Sequence, residues 1–246
     1  MNELFLAFIV STMASILLTP LVKKFAVKIG VIDVPKDKRR VHKKPVPLLG
    51  GIAIYLSFLF TVVIKKGALT NPEKGILIGA TIIVIAGFLD DKYDLKPIYK
   101  LLFQILSAAI LITFDLRIVN ITNPFSNSNP WLSTGWLSIP LTLIWVVGIT
   151  NAINLIDGLD GLAAGVALIS SVTLFIIAVM SIDIRYEAAF LTAVLSGAIL
   201  GFLPYNFNPA SIFMGDTGAQ LLGFLLAAIS IEGAIKSAAT VAISVP

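Results

Sequence analysis

Runs of about twenty apolar residues recur along this chain, and each run ends at a short segment of charged or turn-forming residues. A run of that length is enough to cross the hydrocarbon core of a bilayer as one α-helix. Of the 246 residues, 57% are hydrophobic, which is too apolar for a soluble domain. The pattern predicts an all-α, polytopic transmembrane helix bundle that forms a single domain over residues 1–246.

Eight complete apolar runs predict eight helices. A ninth run begins near residue 238 and is cut off by the end of the chain. The first run has neither a basic segment before it nor a small-residue cleavage site, so we interpret it as a membrane span and not as a signal peptide. The predicted helices lie at roughly 3–22, 47–64, 75–89, 98–114, 136–150, 162–180, 188–204 and 218–235.

The composition excludes several kinds of site. The chain has no cysteine, which excludes a disulfide, a thiolate nucleophile and a cysteine zinc site. His42 is the single histidine, so a multi-histidine metal centre is also excluded. The formal net charge of +4 is explained better by membrane topology than by a nucleic-acid partner, and we expect none.

The basic residues predict the orientation in the membrane. Nine of the eighteen Lys and Arg residues lie in 23–44, and three more lie in 90–100. The positive-inside rule places both segments in the cytoplasm and the N-terminus outside. Alternation of the spans then places 151–161 and 205–217 in the cytoplasm as well. We therefore expect a multi-pass protein of the cell membrane whose active site faces the cytoplasm.

Six carboxylates lie in the segments that this topology brings to one face. Carboxylates at the rim of a membrane are costly unless they have cations or a function. We therefore expect them to build one polyanionic, metal-binding site. The six are Asp90, Asp91, Asp94, Asp157, Asp160 and Asp216.

The first motif is DDKYD at the end of the third run. On a helix end, Asp90 and Asp94 are four residues apart and Asp91 and Asp94 three apart, so they can share a face. Two adjacent acids with a third one turn later suit Mg²⁺ or a phosphate-bound metal. The competing interpretation is a solvated loop whose acids offset nearby lysines.

The second motif is NAINLIDGLDG, in which Asn151, Asn154, Asp157 and Asp160 recur every three residues. This spacing lets most of them line one face. A helix begins after Gly161, and its N-terminal amides favour phosphate. The alternative is an Asn/Asp/Gly turn that only caps a helix, but two amides and two acids exceed what capping requires.

The third motif is FMGDTG, directly before the eighth run. Taken alone, Asp216 and Thr217 are equally well explained as an N-cap pair, and Phe213 as apolar filler. Together with the other two motifs, Asp216 becomes the best single candidate for a metal ligand. An earlier segment, HKKPVPLLGG, is explained either as an orientation signal that contacts lipid headgroups or as part of the site.

In order, HKKPVPLLGG, GFLDDKYDLKPIYK, NAINLIDGLDG and FNPASIFMGDTG resemble the motifs of the polyprenyl-phosphate N-acetylhexosamine-1-phosphate transferases. The resemblance covers nearly the whole chain, and the VHKKPVPLLGG segment is more similar to the GlcNAc branch than to the peptidoglycan branch. It implies a membrane enzyme, a Mg²⁺-dependent glycosyl-1-phosphate transferase. Such an enzyme moves a sugar-1-phosphate from a UDP-sugar to a polyprenyl phosphate and releases UMP.

The resemblance also implies roles for individual residues. Mg²⁺ is the expected cofactor, with Mn²⁺ as an alternative. The expected partners are a UDP-sugar, undecaprenyl phosphate and membrane lipids, with a homodimer as a further candidate. The implied residues are Asp216 and Asn154 for the metal, Asp90 and Asp91 for catalysis, and Asp94, Lys100, Asn151, Asp157, Asp160, Phe213 and Lys44 for substrate, Phe213 by stacking on uracil.

One feature departs from the family pattern. The family has a later cytoplasmic loop with a His-rich motif, which these 246 residues lack, so we expect the chain to be truncated at its C-terminus.

Three alternatives stay open. One is the peptidoglycan-branch phospho-MurNAc-pentapeptide transferase. Another is a membrane transferase of a different type, such as a DDxxD prenyltransferase or a CDP-alcohol phosphotransferase. The last is an ion-coupled transporter, which would place its ionisable residues near the membrane midplane and not at the ends of its spans.

Overall fold

The computed structural model describes residues 2–35, 45–65, 67–122, 131–181 and 185–233. In these ranges the chain forms eight α-helices, two short antiparallel strand pairs and a 3₁₀ turn at Gly135–Leu137. The helices are α1 Asn2–Lys28, α2 Gly50–Val63, α3 Asn71–Tyr93, α4 Pro97–Thr113, α5 Ser138–Ile156, α6 Leu162–Met180, α7 Tyr186–Asn206 and α8 Gly215–Glu232. The strands are β1 Ile32–Asp33, β2 Val46–Pro47, β3 Asn120–Thr122 and β4 Trp131–Ser133, with β1 paired to β2 and β3 to β4.

The all-α prediction is confirmed, and each of the eight complete apolar runs contains one helix. Five of these helices are long and apolar enough to cross a membrane, namely α1, α3, α5 with its preceding turn, α6 and α7. The helices α2 and α4 are apolar but shorter. The ninth run, near residue 238, lies outside the described residues.

Two helix ends differ from the prediction in ways that matter for the site. Helix α3 begins at Asn71 because Thr70 and Glu73 form a reciprocal capping box, and it continues to Tyr93, where Asp94 adopts a left-handed conformation with φ 54°. Asp90 and Asp91 therefore belong to its last turn. Helix α5 continues to Ile156, so Asn151 and Asn154 are helical residues.

Helix α8 lies in the centre of the bundle and is buried along almost its whole length. Two glycines let neighbouring helices touch its first turn. A Cβ at Gly51 of α2 would overlap the backbone of Gly218, and a Cβ at Gly87 of α3 would overlap that of Thr217. Small residues at such crossings allow the close backbone approach that stabilises helix pairs in membranes.

The loop before α8 is held by the segment that precedes α2. The amide of Phe213 donates to the carbonyl of Pro47 at 2.8 Å, and the amide of Gly50 donates to the carbonyl of Phe213 at 2.9 Å. Leu49 adopts a left-handed conformation with φ 76°, which turns the chain into α2. The PLLGG segment and the FMGDTG segment therefore form one structural unit at the end of the bundle where α3 and α5 also end. We call this the acidic end.

Candidate active site

A cavity of about 640 Å³ opens at the acidic end. The structure brings all six predicted carboxylates to its walls, from the ends of α3, α5 and α8 and the turn that follows α5. The acidic lining residues are Asp33, Asp90, Asp91, Asp94, Asp157, Asp160 and Asp216, and the cavity is also lined by Asn154, Asn206 and Phe213.

Asp91 caps helix α8 from a neighbouring helix. Its Oδ1 accepts from the amide of Asp216 at 2.8 Å, and its Oδ2 accepts from the amide of Thr217 at 3.1 Å and from the hydroxyl of Thr217 at 2.6 Å. The N-cap residue of α8, Met214, makes no side-chain capping bond. A carboxylate at this position satisfies orphan amides and is favoured by the helix dipole.

Because Asp91 performs the capping, the side chain of Asp216 is available to the cavity. The N-cap explanation of Asp216 is therefore wrong, since this residue lies inside the first turn of α8. Its Oδ2 accepts from the ammonium of Lys100 at 2.9 Å, and its Oδ1 accepts from the side-chain amide of Asn154. One aspartate of α8 thus joins a lysine of α4 and an asparagine of α5.

Asp90 lies beside this cluster and is buried. Its Oδ2 forms an ion pair with the ammonium of Lys100, and its Oδ1 accepts from the amide of Leu95 at 2.9 Å. Lys100 therefore lies between the carboxylates of Asp90 and Asp216. This arrangement fixes one positive charge on the cavity wall among several acids.

Asp157 follows the last residue of α5 and faces the cavity, and no hydrogen bond joins its carboxylate to the residues that the structure describes. Burial, with a smaller contribution from the charge of Asp216, raises its pKa to about 7. Asp160 has a different role, since its Oδ2 accepts from the amide of Ala210 at 2.9 Å. That bond ties the turn after α5 to the loop before α8.

Of the remaining predicted site residues, two line the cavity, one points away from it and one lies outside the described residues. Phe213 and Asp94 line the cavity, and Asp94 is exposed. Asn151 points away from it, because its side-chain amide donates to Gln104 Oε1 at 2.7 Å and to the carbonyl of Val147 at 2.8 Å. Lys44 lies outside the described residues.

Sequence reasoning missed two sets of residues. Asn206, at the end of α7, lines the cavity with a buried side chain whose amide donates to the carbonyl of Ile212 at 3.1 Å. The sequence did contain a signal for Asn206, because this residue begins an NFNP segment at the end of an apolar run. The predicted acids also lie at the ends of apolar runs. Gln104 and Gln220 gave no such signal, because each is a single polar residue inside an apolar run.

The residues at the cavity suit a hard cation. The carboxylates and the Asn154 amide supply oxygen ligands, which Mg²⁺ prefers, and Mg²⁺ usually takes only one or two from protein and the rest from phosphates and water. Among the described residues, no group of three or more His, Cys, Asp and Glu side chains is arranged to hold a metal. A cation held by one or two of these oxygens would leave positions for phosphate and water.

The fold and the site define a multi-pass α-helical membrane protein with an oxygen-rich cavity at one end of the bundle. The sequence matches the family described as glycosyl transferase family 4 over residues 74–234, and the chain belongs to this family.

The chain is similar to several curated relatives. It is 41% identical to the probable undecaprenyl-phosphate N-acetylglucosaminyl 1-phosphate transferase of Bacillus subtilis, covering 100% of this chain and 67% of that protein. It is 35% identical to the decaprenyl-phosphate N-acetylglucosaminephosphotransferase of Mycobacterium leprae, covering 95% and 62%. It is 36% identical to the phospho-N-acetylmuramoyl-pentapeptide-transferase of Streptococcus uberis, covering 91% and 72%. The chain thus spans about two thirds of the length of these relatives.

Proposed function

We propose that this protein transfers GlcNAc-1-phosphate from UDP-GlcNAc to undecaprenyl phosphate and releases UMP, the first step of a cell-envelope glycan. The observation that carries the proposal is the cluster of Lys100, Asp216 and Asn154 on the wall of a cavity rich in oxygen ligands. Phosphoryl transfer depends on positioning and on charge stabilisation, and these side chains supply both. The names of the B. subtilis and M. leprae relatives support the same donor sugar and a polyprenyl acceptor.

The transfer is an in-line displacement at phosphorus. A phosphate oxygen of the lipid forms a bond to the β-phosphorus of the UDP-sugar, and the bond from that phosphorus to the bridging oxygen breaks. UMP leaves with the electron pair of the broken bond. Phe213, on the cavity wall, is proposed to stack on the uracil, and Asp157 and Asp160 to contact the nucleotide sugar, with Asp94 and Lys44 as further contacts.

A bound Mg²⁺ would neutralise charge on the diphosphate and on the leaving phosphate. Asp216 and Asn154 are the proposed protein ligands. In the structure Lys100 contacts Asp216 and Asp90, so the lysine already offsets negative charge where a diphosphate would enter. We propose that Lys100 contacts phosphate when substrate is bound.

Asp90 and Asp91 were predicted to be catalytic. Their contacts support a role in positioning helix α8 and Lys100. Asp91 holds the first turn of α8, and Asp90 holds Lys100. The second pKa of a phosphate monoester is about 6, so much of the lipid phosphate is already a dianion at neutral pH. Removal of a proton from the acceptor then contributes less than alignment of the acceptor, the donor and the charged side chains.

We also propose that the acidic end faces the cytoplasm. Lys23, Lys24 and Lys28 lie at the end of α1, and Lys92 and Lys96 lie near the end of α3, so positive charge collects at this end. A cysteine introduced at Tyr93 should be protected from an impermeant thiol reagent in intact cells, and one introduced at Ser133 should be labelled. Labelling of the cysteine at position 93 would show that the acidic end faces outward, contrary to the proposed orientation.

The function is tested by radiolabel transfer in membranes that contain the protein. Labelled UDP-GlcNAc with undecaprenyl phosphate and Mg²⁺ should yield a butanol-extractable lipid and UMP. Transfer from UDP-MurNAc-pentapeptide in place of UDP-GlcNAc would assign the protein to the branch of the S. uberis relative. An absence of lipid product from both donors would refute the proposed activity.

A further inference from the structure

Three carboxamide side chains form a layer inside the bundle, directly beneath the cluster of Lys100, Asn154 and Asp216. Gln104 Nε2 donates to Gln220 Oε1 at 3.2 Å and lies 3.4 Å from Asn151 Oδ1. The amide of Asn151 donates back to Gln104 Oε1 at 2.7 Å. Gln104, Asn151 and Gln220 belong to α4, α5 and α8, and we call them the amide layer.

The amide layer lies on the same three helices that carry the charged cluster. Gln104 follows Lys100 by four residues, Gln220 follows Asp216 by four, and Asn151 precedes Asn154 by three. Residues three or four apart lie on one face of a helix, and four residues rise about 6 Å. Each helix therefore presents an amide directly below its contribution to the site.

The amide layer is costly to bury. Gln104 and Gln220 are each 1% exposed, and Gln220 Nε2 has no hydrogen-bond partner among the described residues. A buried polar group without a partner destabilises the folded state. Apolar side chains would fill the same volume without that cost, so bundle stability alone does not explain the layer. Buried polar groups in other helical assemblies fix the register between helices.

Some buried hydroxyl groups on these helices form hydrogen bonds only within their own helix. Ser107 of α4 donates to Phe103 of its own helix at 2.9 Å, and Thr150 of α5 donates to Val146 of its own helix at 2.7 Å. The amide layer is different because its hydrogen bonds join α4 to both α5 and α8. It therefore constrains the relative position of the three helices.

We propose that Gln104 is a positioning residue. Through Asn151 and Gln220 it sets the register of α4 against α5 and α8, and this register places Lys100 within bonding distance of Asp216. The effect on turnover rests on the proposed transferase function, whereas the effect on helix position does not.

The first experiment measures helix position without any substrate. The chain has no cysteine, so spin labels can be attached to single cysteines introduced at Ile98 of α4 and Leu155 of α5, which are 55% and 85% exposed. Gln104→Met keeps the side-chain length and removes the hydrogen bonds. It should shift or broaden the distance distribution between the labels. Ser107→Ala, the matched control on α4, should leave it unchanged.

The second experiment measures turnover in the same variants. Gln104→Met should lower kcat by about 10- to 100-fold, since a misplacement of about 1 Å can cost about 10²-fold. It should also raise the Mg²⁺ requirement while the KM for the UDP-sugar changes little. Ser107→Ala should retain wild-type kinetics.

The double variant Gln104→Met/Gln220→Met separates positioning from stability. Replacing both partners of a buried hydrogen bond by apolar groups is often nearly neutral, so thermal stability should recover. If Gln104 sets the register of α4, kcat should stay low in the double variant. Recovery of kcat together with stability, or an unchanged label distance in Gln104→Met, would overturn the proposal. A shifted distance in a protein without transferase activity would refute the proposed function and leave the positioning claim standing.

Discussion

Two sides of the bundle differ in the polar contacts that join their helices. Where α1 meets α7, glycines allow the backbones to touch, because a Cβ at Gly197 or Gly201 would overlap the carbonyl of Phe8 or Thr12. Ser11 of α1 and Tyr205 of α7 each donate a hydroxyl hydrogen bond to a backbone carbonyl of the other helix, and near the far end the hydroxyl of Tyr186 donates to the carboxylate of Glu3 at 2.7 Å. We call this pair the scaffold side.

Around α8, charged and amide side chains bond to one another across helices. Asp91 accepts a hydrogen bond from the hydroxyl of Thr217. Lys100 donates to Asp216, and Gln104 donates to Gln220. We call α3, α4, α5 and α8 the site side. Close backbone packing occurs on both sides, at Gly201 on the scaffold side and at Gly87 on the site side, and the site side adds charged and amide contacts that orient specific atoms. Variants on the two sides should therefore fail in different ways.

The largest expected effect is on the site side, at Asp216. Asp216→Asn should lower Mg²⁺-dependent transfer by about 10³-fold or more, since charge stabilisation by a metal is worth several kcal/mol and each 1.4 kcal/mol is about tenfold. Helix α8 should remain intact, because Asp91 caps it. Turnover against Mg²⁺ concentration and a thermal unfolding curve check both parts. A wild-type Mg²⁺ curve would remove Asp216 from the metal site.

A smaller effect is expected at Asp91, which acts through α8. Asp91→Asn replaces one acceptor oxygen by a donor, so at least one of three hydrogen bonds to Asp216 and Thr217 is lost. We expect turnover to fall by about 10²-fold, as for a misplaced catalytic group. Thr217→Val, which removes only the hydroxyl bond, should show a milder loss in the same assay. The positioning account fails if both variants turn over like the wild type.

The scaffold side should respond in stability and not in chemistry. Gly201→Val would force a side chain against the backbone of α1, and overpacking typically costs about 1–3 kcal/mol. The Tm should fall by roughly 2–4 °C per kcal/mol. Turnover per folded molecule, measured after correction for the folded fraction, should stay at the wild-type level. A selective loss of kcat at unchanged Tm would contradict the division between the two sides.

The smallest expected effect is the pH dependence contributed by Asp157. Burial raises its pKa from 3.8 to about 7, so the folded state holds this proton more tightly than the unfolded state. Stability from this group is greatest at low pH and is lost as the pH rises from about 4 to 7. The Asp157→Asn side chain cannot ionise, so the variant does not lose this stability as the pH rises. The Tm of the variant should therefore exceed that of the wild type by more at pH 8 than at pH 5. Equal differences at both values would show that Asp157 is not desolvated.

The sequence predicted the helices and the common site well, for physical reasons. Apolar runs of membrane length leave little alternative to helices, and charged residues at their ends mark the rims. The six aspartates that the structure brings to one cavity were found in this way.

Other features depend on tertiary contacts that no local pattern encodes. Asp91 caps a helix more than a hundred residues away, and Asn151 faces Gln104 instead of the cavity. Helix α5 ends at Ile156, within the second motif. The four polar residues of that motif, although spaced by three, therefore do not share one helix face. Gln104 and Gln220 were not found because a lone amide in an apolar run has no distinctive pattern.

The central claim is that Asp216 belongs to a metal site completed by substrate, and Mn²⁺ binding measured by electron paramagnetic resonance tests it directly. If Asp216 and Asn154 are the protein ligands, as proposed, the diphosphate and water would complete the shell of the ion. UDP-GlcNAc should therefore tighten Mn²⁺ binding to the wild type at least about tenfold, beyond the binding of Mn²⁺ to the nucleotide alone. Asp216→Asn should abolish this increase. A wild-type affinity that UDP-GlcNAc does not change, or an increase that survives in Asp216→Asn, would contradict the account.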